Sequence, residues 1–275
     1  MSRVSVELDH DPNLTTLFAK AALRGLRPVP HEPVLPDTTY ARIDVRTDRS
    51  HLAGYDRVCG YRLTDELPVT YPHLLVFGLQ MALMTADDFP FPLIGLVHVA
   101  NRISQHRPIH ADEPLVVRVR AANLRPHERG TQFDMLSEAL ADGDVVWQET
   151  STYLRRTSTG HVRRTESQPT TKPTAIWRVP DDIGRRYAEV SGDHNPIHLH
   201  ALTARLFGFR RAIAHGMWSM SRCVAYYEGR LPATVDVRFK LPIPLPATVA
   251  LTARPDGFDL ADHRTGRPHL TGRFA

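Results

Sequence analysis

YAEVSGDHNPIHLHALTARLFGFRRAIAHG, residues 187–216, is the most informative segment of the chain. It places Asp193, Pro196 and His198 within six residues, directly after Ser191-Gly192. A proline disfavours helical geometry in the residue before it, so the segment predicts a tight loop around Pro196. Such a loop can turn Asp193 and His198 toward one point, where a carboxylate and an imidazole can hold and activate a water molecule. The imidazole titrates near neutral pH and can then pass the proton on.

A helix is predicted to begin at the end of this segment and to run over residues 216–227, because Met217, Met220 and Val224 recur at helical spacing. The first N–H groups of a helix have no partner inside it and lie at the positive end of its dipole. Gly216 has no side chain to bar a close approach, so its amide is a candidate donor to a carbonyl oxygen that becomes enolate-like. A water activator and an oxyanion donor together describe addition of water to an α,β-unsaturated thioester, or the reverse reaction.

The segment resembles the MaoC-like family of (R)-specific enoyl-CoA hydratases and 3-hydroxyacyl-thioester dehydratases. The matching residues are Ser191-Gly192-Asp193, Asn195-Pro196-Ile197-His198, Ala204, Gly208-Phe209 and Ile213-Ala214-His215-Gly216-Met217. The resemblance implies that Asp193 and His198 activate water, that the Gly216 amide binds the thioester carbonyl, and that Asn195 supports them. Ala212 departs from the family pattern, which often has Pro at that position, and we expect the change to be harmless.

The resemblance implies the hot-dog fold, in which a curled antiparallel sheet wraps a long helix, and this is an α+β fold. The two halves of the chain have the same predicted order of one helix followed by several strands: a helix over 71–86 with strands at 96–100, 115–121, 132–139 and 145–154, then a helix over 216–227 with strands at 234–239, 248–253, 257–261 and 269–274. We therefore expect a double hot-dog, two fused units in one chain.

A polar segment without apolar periodicity, RRTSTGHVRRTESQPTTKPT, separates the halves and has the composition of a linker. Near the start of the chain, Asp11-Pro12 predicts the N-cap and first residue of a helix that ends at Gly25. The expected organisation is a helix and connector over 1–37, a degenerate hot-dog over 38–155, a linker over 156–174 and a catalytic hot-dog over 175–275.

One active site per chain is expected, because the first half lacks the D-x-N-P-x-H pattern. Aligning His73 with His215 places the segment from His51 to Asp56 over the segment from Asp193 to His198, and the two do not match. The first half is then a partner that shapes the acyl pocket, and His73 is interpreted as structural.

Composition indicates a globular protein without a membrane span or a secretion signal. Hydrophobic residues make up 42% of the chain, and mean hydropathy is −0.29. No window offers the roughly 18 uninterrupted apolar residues of a spanning helix, and the N-terminal residues lack the apolar core of a signal peptide. Cys59 and Cys223 have no paired spacing, so a disulfide scaffold is not expected and a reducing cytoplasm fits.

The formal net charge is +4, and all but three of the 34 cationic residues are Arg, which binds phosphate groups well. The expected substrate is an acyl-CoA or an acyl-acyl-carrier-protein. Arg210 and Arg211 are candidates for contact with CoA phosphates, although a solvated pair is an equally good interpretation, and Ser219 is a candidate pocket residue. Scattered arginines without interleaved aromatic residues argue against nucleic acid. A homodimer of double hot-dog chains is possible.

No cofactor is expected, metal or redox. His194 and His200 could join Asp193 and His198 around a metal ion, but nothing in the chain resembles H-E-x-x-H, and converging ligands with a second shell are required. The predicted activity is the reversible hydration of trans-2-enoyl thioesters, or dehydration of (R)-3-hydroxyacyl thioesters, in fatty-acid metabolism. The alternatives are a non-catalytic acyl-thioester-binding subunit and a hot-dog thioesterase. A serine hydrolase is disfavoured because no G-x-S-x-G motif is present.

Overall fold

The structure is a computed structural model that describes residues 4–24, 29–157, 172–229 and 234–275. Within these ranges the helices are α1 (Leu14–Arg24), α2 (Arg49–Cys59), α3 (Pro72–Met84), α4 (Ile183–Ser191), α5 (Pro196–Leu199), α6 (Ala201–Leu206) and α7 (Gly216–Ala225). The strands there are β1 (Val4–Glu7), β2 (Thr38–Val45), β3 (Leu96–Gln105), β4 (Leu115–His127), β5 (Gly130–Ala141), β6 (Asp144–Arg156), β7 (Ala175–Val179), β8 (Thr234–Phe239), β9 (Ala247–Arg254), β10 (Gly257–Asp262) and β11 (Pro268–Phe274).

The first of two compact units comprises residues 1–49 and 65–160. Its strands follow the order β1-β2-β4-β5-β6-β3, in which β1 and β2 are parallel and the other pairs are antiparallel. Helix α3 is apolar over most of its length and contacts β2, β4 and β5. Val76, Leu79 and Leu83 of this helix are fully buried, as expected for the central helix of a two-layer α+β unit.

The second unit comprises residues 50–64 and 161–275. Its strands are antiparallel in the order β8-β11-β10-β9-β7, and α7 is its central helix, with Met220, Cys223 and Val224 fully buried. Helix α2 clusters with this unit, although it precedes most of the first unit in the chain. The domain boundaries expected from the sequence place α2 in the N-terminal hot-dog, residues 38–155.

Helix α2 is held in the second unit by specific contacts with α7. The Ser221 hydroxyl donates to the Met217 carbonyl, so the fully buried Tyr55 hydroxyl, 2.8 Å from Ser221 Oγ, acts as the donor of that pair. The Trp218 indole N–H donates to the Val58 carbonyl at 3.1 Å. These bonds satisfy buried polar groups that would otherwise destabilise the unit.

A buried polar cluster surrounds Glu149 in the first unit. The Glu149 carboxylate lies 2.8 Å from His73 Nδ1 and accepts from Asn101 Nδ2 at 2.7 Å and from Gln80 Nε2 at 3.0 Å. Its side chain is fully buried, and His73 is nearly so. Burial raises the pKa of Glu149, but the nearby His73 and the hydrogen bonds from His73 and Asn101 outweigh it and hold that pKa below its ordinary value. His73 therefore lies in a hydrogen-bonded core, in agreement with its structural interpretation.

The start of α1 differs from the prediction. The helix begins at Leu14, and the Asn13 side-chain oxygen accepts from the Thr16 amide at 3.1 Å, so Asn13 is the capping residue. The prediction of Asp11 as N-cap is wrong, because its carboxylate pairs with Arg42 of β2 instead. The predicted C-terminal Gly25 and most of the predicted linker, residues 158–171, lie outside the described residues.

None of the helices in the described part of the chain combines the length and the apolar character needed to cross a membrane.

Asp56, in α2, carries a buried carboxyl group. Asp56 is 1% exposed to solvent, and neither oxygen of its carboxylate has a hydrogen-bond partner. Burial and, secondarily, the nearby Glu228 raise the pKa of Asp56 to about 7, and Arg57 opposes them. A raised folded-state pKa means that ionisation of this carboxyl disfavours the fold as pH rises from about 4 to about 7.

Asp56→Asn should therefore stabilise the protein at pH 8 and have a much smaller effect at pH 4, close to the ordinary Asp pKa. Asn is a neutral isostere of the protonated acid, and a shift of this size corresponds to about 2–4 kcal/mol in the free energy of unfolding. The melting temperature of both proteins, measured from pH 4 to pH 8, tests this. The pH 4 pair is the internal control. Equal stability of the two proteins at pH 8 would contradict the burial of an ionisable carboxyl here.

Candidate active site

The loop between α4 and α5 is shaped by Gly192. This residue ends α4 in the left-handed conformation, with φ of 71°, and its N–H donates to the Ala188 carbonyl. Glycine adopts that conformation without the steric cost of a Cβ. The Asp193 amide then donates to Ser191 Oγ at 3.1 Å, and the Asn195 amide donates to Asp193 Oδ1 at 3.2 Å. One oxygen of the Asp193 carboxylate thus accepts a hydrogen bond within its own loop, and the side chain is 27% exposed.

His198 is oriented by the backbone of the strand-like segment before α7. Asn195 caps the short helix α5 through its side-chain oxygen, which accepts from the Ile197 amide. His198 Nδ1 lies 2.7 Å from the Ile213 carbonyl, so Nδ1 carries the proton and Nε2 has a free lone pair. Burial lowers the pKa of His198 below its ordinary value, although Asp193 and the Ile213 bond oppose the shift. His198 is therefore neutral at pH 7, with Nε2 able to accept a proton.

His215, at the N-cap of α7, completes the cluster. Its side chain does not cap the helix; instead Nε2 lies 3.0 Å from the Asp193 carbonyl oxygen, to which it must donate. The ring stacks on His198 with centroids 3.7 Å apart and planes 28° apart, and Tyr187 packs against it at 4.9 Å. Burial and, secondarily, His198 lower the pKa of His215 to about 3.

Asp193, His198 and His215 each offer a possible ligand atom, and these atoms lie within 4.8 Å of one another. This is the geometry of a candidate metal site as well as of an acid–base site, and it differs from the set with His194 and His200 considered from the sequence. In the present arrangement the His215 nitrogen that faces Asp193 carries a proton, so it offers no lone pair to a metal there.

Gly216 is the first residue of α7, as predicted, and the helix ends at Ala225. A Cβ built on Gly216 would lie 3.2 Å from Cε1 and 3.4 Å from Cδ1 of Phe239, at the end of β8. A side chain at position 216 would therefore contact the aromatic ring of Phe239 first. The backbone N–H groups of this first turn have no helical acceptor.

The remaining predicted site residues are less closely tied to the cluster. The Ser219 hydroxyl is buried and donates to the His215 carbonyl at 3.0 Å, one turn earlier in α7. Arg210 and Arg211 are exposed, in the connection between α6 and α7. Their predicted contact with substrate phosphates remains a prediction.

Gly184 is a site-supporting residue that sequence reasoning missed. It lies in α4, where a Cβ would come within 1.9 Å of the His198 carbonyl oxygen and 3.0 Å of its carbonyl carbon. The contact is with backbone, so a flexible side chain cannot relieve it. Gly184 therefore sets the distance between α4 and the helical turn that carries His198. A glycine inside an amphipathic helix pattern was the available signal.

Gly184→Ala should separate α4 from α5 and displace His198. Overpacking of this kind costs about 1–3 kcal/mol of stability, and a displacement of about 1 Å at a catalytic group can cost about 100-fold in rate. Thermal unfolding and turnover of the variant test both effects.

Gly54→Ala is the matched control, since a Cβ there would meet Val190 Cγ1 at an ordinary 3.5 Å within the same unit. It should retain wild-type turnover. Wild-type stability and turnover in Gly184→Ala would show that α4 does not set the position of His198.

The fold and this cluster correspond to a known class. A family model described as the MaoC like domain matches residues 156–265, which contain Asp193, His198 and Gly216. The 3-hydroxyacyl-thioester dehydratase X of Mycobacterium tuberculosis is 39% identical over 263 residues, covering 92% of this chain and 94% of that protein. The chain belongs to the MaoC-like family.

Solved structures confirm the predicted α+β double hot-dog fold. The crystal structure of HtdX of M. tuberculosis matches with a TM-score of 0.76 and 39% identity, over 86% of this chain and 98% of that one. A MaoC-like dehydratase from Phytophthora capsici matches with a TM-score of 0.70 and 18% identity, over 86% and 93%. An acyl-ACP thioesterase from Bacteroides thetaiotaomicron shares the fold with a TM-score of 0.52 and 9% identity, over 86% and 96%. Because the fold is common to different activities, activity has to be argued from the site.

Proposed function

We propose that the protein is a hydro-lyase that interconverts trans-2-enoyl thioesters and (R)-3-hydroxyacyl thioesters in fatty-acid metabolism. The observation that carries the proposal is the convergence of the Asp193 carboxylate and the His198 imidazole within 4.8 Å. One group is an anion and the other a neutral base, which is the combination that holds and deprotonates a water molecule. The M. tuberculosis relative, named as a 3-hydroxyacyl-thioester dehydratase, supports the same activity.

In the hydration direction, Asp193 and His198 Nε2 hold the water. Its oxygen bonds to C3 of the substrate while His198 Nε2 accepts a proton, and the electron pair of the C2–C3 double bond moves toward the thioester carbonyl oxygen. The Gly216 amide, at the unpartnered start of α7, donates to that oxygen as its negative charge grows. C2 then takes up the proton from His198, so that one water is added in total. Dehydration is the reverse sequence.

A hot-dog thioesterase is the second candidate, because the fold is shared with a thioesterase. The Asp193–His198 pair could also direct water at the thioester carbonyl carbon, and hydrolysis would then release a carboxylic acid and a free thiol. A non-catalytic thioester-binding subunit is disfavoured, since it has no use for a neutral, buried histidine with a free lone pair.

The proposal has several finer features. It includes one active site per chain, in the catalytic hot-dog over residues 175–275. The carrier is CoA or acyl carrier protein, with Arg210 and Arg211 as candidate phosphate contacts. Cys59 and Cys223 are buried free thiols, which supports a reducing, cytoplasmic location. The homodimer remains a prediction.

The purified chain should consume trans-2-enoyl-CoA substrates of graded length, observed as loss of the absorbance of the conjugated thioester and as formation of the (R)-3-hydroxyacyl product. A parallel measurement of free thiol distinguishes the candidates. Thiol release without hydration would establish a thioesterase, and binding without either product would establish a non-catalytic subunit.

A further inference from the structure

His215 belongs to the active-site cluster, but the proposed reaction assigns it no step. Both of its ring nitrogens are buried: Nε2 donates to the Asp193 carbonyl, and Nδ1 has no hydrogen-bond partner. The side chain is 3% exposed. A buried imidazole that makes only one hydrogen bond carries an energetic cost, so its contacts with the catalytic pair need an explanation.

The first contact fixes Asp193. The Nε2–H bond reaches across the loop from the start of α7 to the Asp193 backbone, 22 residues earlier in the chain. It is a connection between Asp193 and the helix that carries the Gly216 amide. Asp193 is partly exposed, so without this bond its position would depend on its own loop alone.

The second contact covers His198. The His215 ring lies against the His198 ring at 3.7 Å and occupies the space where water would otherwise solvate that imidazole. The charged and titratable groups that face His215 are His198 of α5, Asp193 and His194 of the loop, and Tyr187 of α4. A neutral ring beside His198 excludes water without repelling the proton that His198 accepts.

We infer that His215 is a positioning residue of the reaction, whose N–H fixes Asp193 and whose ring keeps His198 desolvated. The inference rests on the proposed hydration chemistry. It assigns the two functions to separate parts of one side chain, the Nε2–H donor and the flat ring, and these parts can be removed separately.

His215→Phe keeps a flat ring and removes the donor. We expect kcat to fall about 10-fold or more, because Asp193 loses its tie to α7, while the acid limb of the pH profile stays at its wild-type position. KM should change little, because the loss arises in the transition state.

His215→Gln places an amide N–H at a similar reach and removes the ring. Water then reaches His198, the desolvation that lowers its pKa weakens, and the acid limb of the kcat/KM profile moves to higher pH. At pH values above that limb, kcat should be close to that of the wild type.

His269 supplies the matched control in the same unit. It is also a buried histidine with one ring nitrogen bonded to a backbone carbonyl, that of Leu241. His269→Phe and His269→Gln should lower stability without changing kcat or the acid limb. If the His269 variants changed kcat and the pH profile as much as the His215 variants do, the inference would be overturned. His215 would then behave as an ordinary buried core residue.

Nitrogen-15 NMR of the labelled histidines in the wild-type chain provides a measurement that does not depend on turnover. We expect His215 to stay neutral and protonated on Nε2 throughout the pH range in which the protein is folded. Titration of His215 near the ordinary histidine value would overturn the inference. A wild-type chain that does not hydrate enoyl thioesters would refute the proposed function, whereas the NMR result would still decide how His215 is held.

Discussion

Asp193→Asn and His198→Asn are each expected to lower kcat by about 100-fold or more with the fold retained, since a positioned acid–base group typically contributes that much. Asn at 193 keeps an oxygen that can accept from the Asn195 amide, and Asn at 198 keeps an N–H near the position that donates to Ile213. Each variant therefore removes the titrating group and preserves the hydrogen bond that shapes its surroundings. Steady-state turnover of an enoyl-CoA with a parallel unfolding curve tests the expectation.

The controls for this pair are His51→Gln and Asp56→Asn, at positions of α2 that align with the catalytic segment but lack its pattern. Both should leave turnover nearly unchanged. Near-wild-type turnover in a folded Asp193 or His198 variant would refute the mechanism, and a large loss in either control would refute the single site per chain.

Gly216→Val should also cause a large loss of kcat. A Cβ alone would press on Phe239 at 3.2 Å, and the two γ carbons of valine add volume that the ring cannot accommodate by moving a few tenths of an ångström. The start of α7 must then shift, and its amide no longer points where the carbonyl oxygen develops charge. Loss of one such donor typically costs about 2.7–4 kcal/mol of transition-state stabilisation.

Gly216→Ala provides the graded control, because its single added carbon requires only a small movement of Phe239. We expect a modest effect on kcat from alanine and a large one from valine, with KM affected less in both. Fold stability should fall less than activity, since valine is a better helix former than glycine. Wild-type kcat in folded Gly216→Val would mean that another amide binds the carbonyl.

Local patterns predicted the regular elements of each half well. The strand at 234–239 was predicted with the bounds it has, and α7 was predicted to begin at Gly216, where it does. The D-x-N-P-x-H segment predicted Asp193 and His198, because two residues five positions apart in a loop closed by Gly192 and Pro196 have few possible arrangements. Short-range geometry therefore accounts for the predicted part of the site.

The rest of the site depends on contacts between distant segments, which a single sequence does not display. His215 reaches Asp193 across 22 residues, and Gly184 is required only because α4 packs on the His198 backbone. Helix α2 was not predicted, and its partner Ser221 lies 166 residues further along the chain. Asp11 does not cap α1, because its carboxylate forms an ion pair with Arg42 of β2. This tertiary contact competes with local capping.

The membership of α2 in the second unit also determines the order in which the chain can fold during its synthesis. The ribosome releases α2 early, yet its partners Trp218 and Ser221 emerge only after every residue of the first unit. Until then α2 lacks its native partners from α7, so the nascent chain has to protect the apolar face of α2. For the same reason a gene fragment encoding residues 172–275 alone would contain Asp193, His198 and Gly216 and still yield an incomplete domain, whereas co-expression with a peptide of residues 49–64 should restore its core.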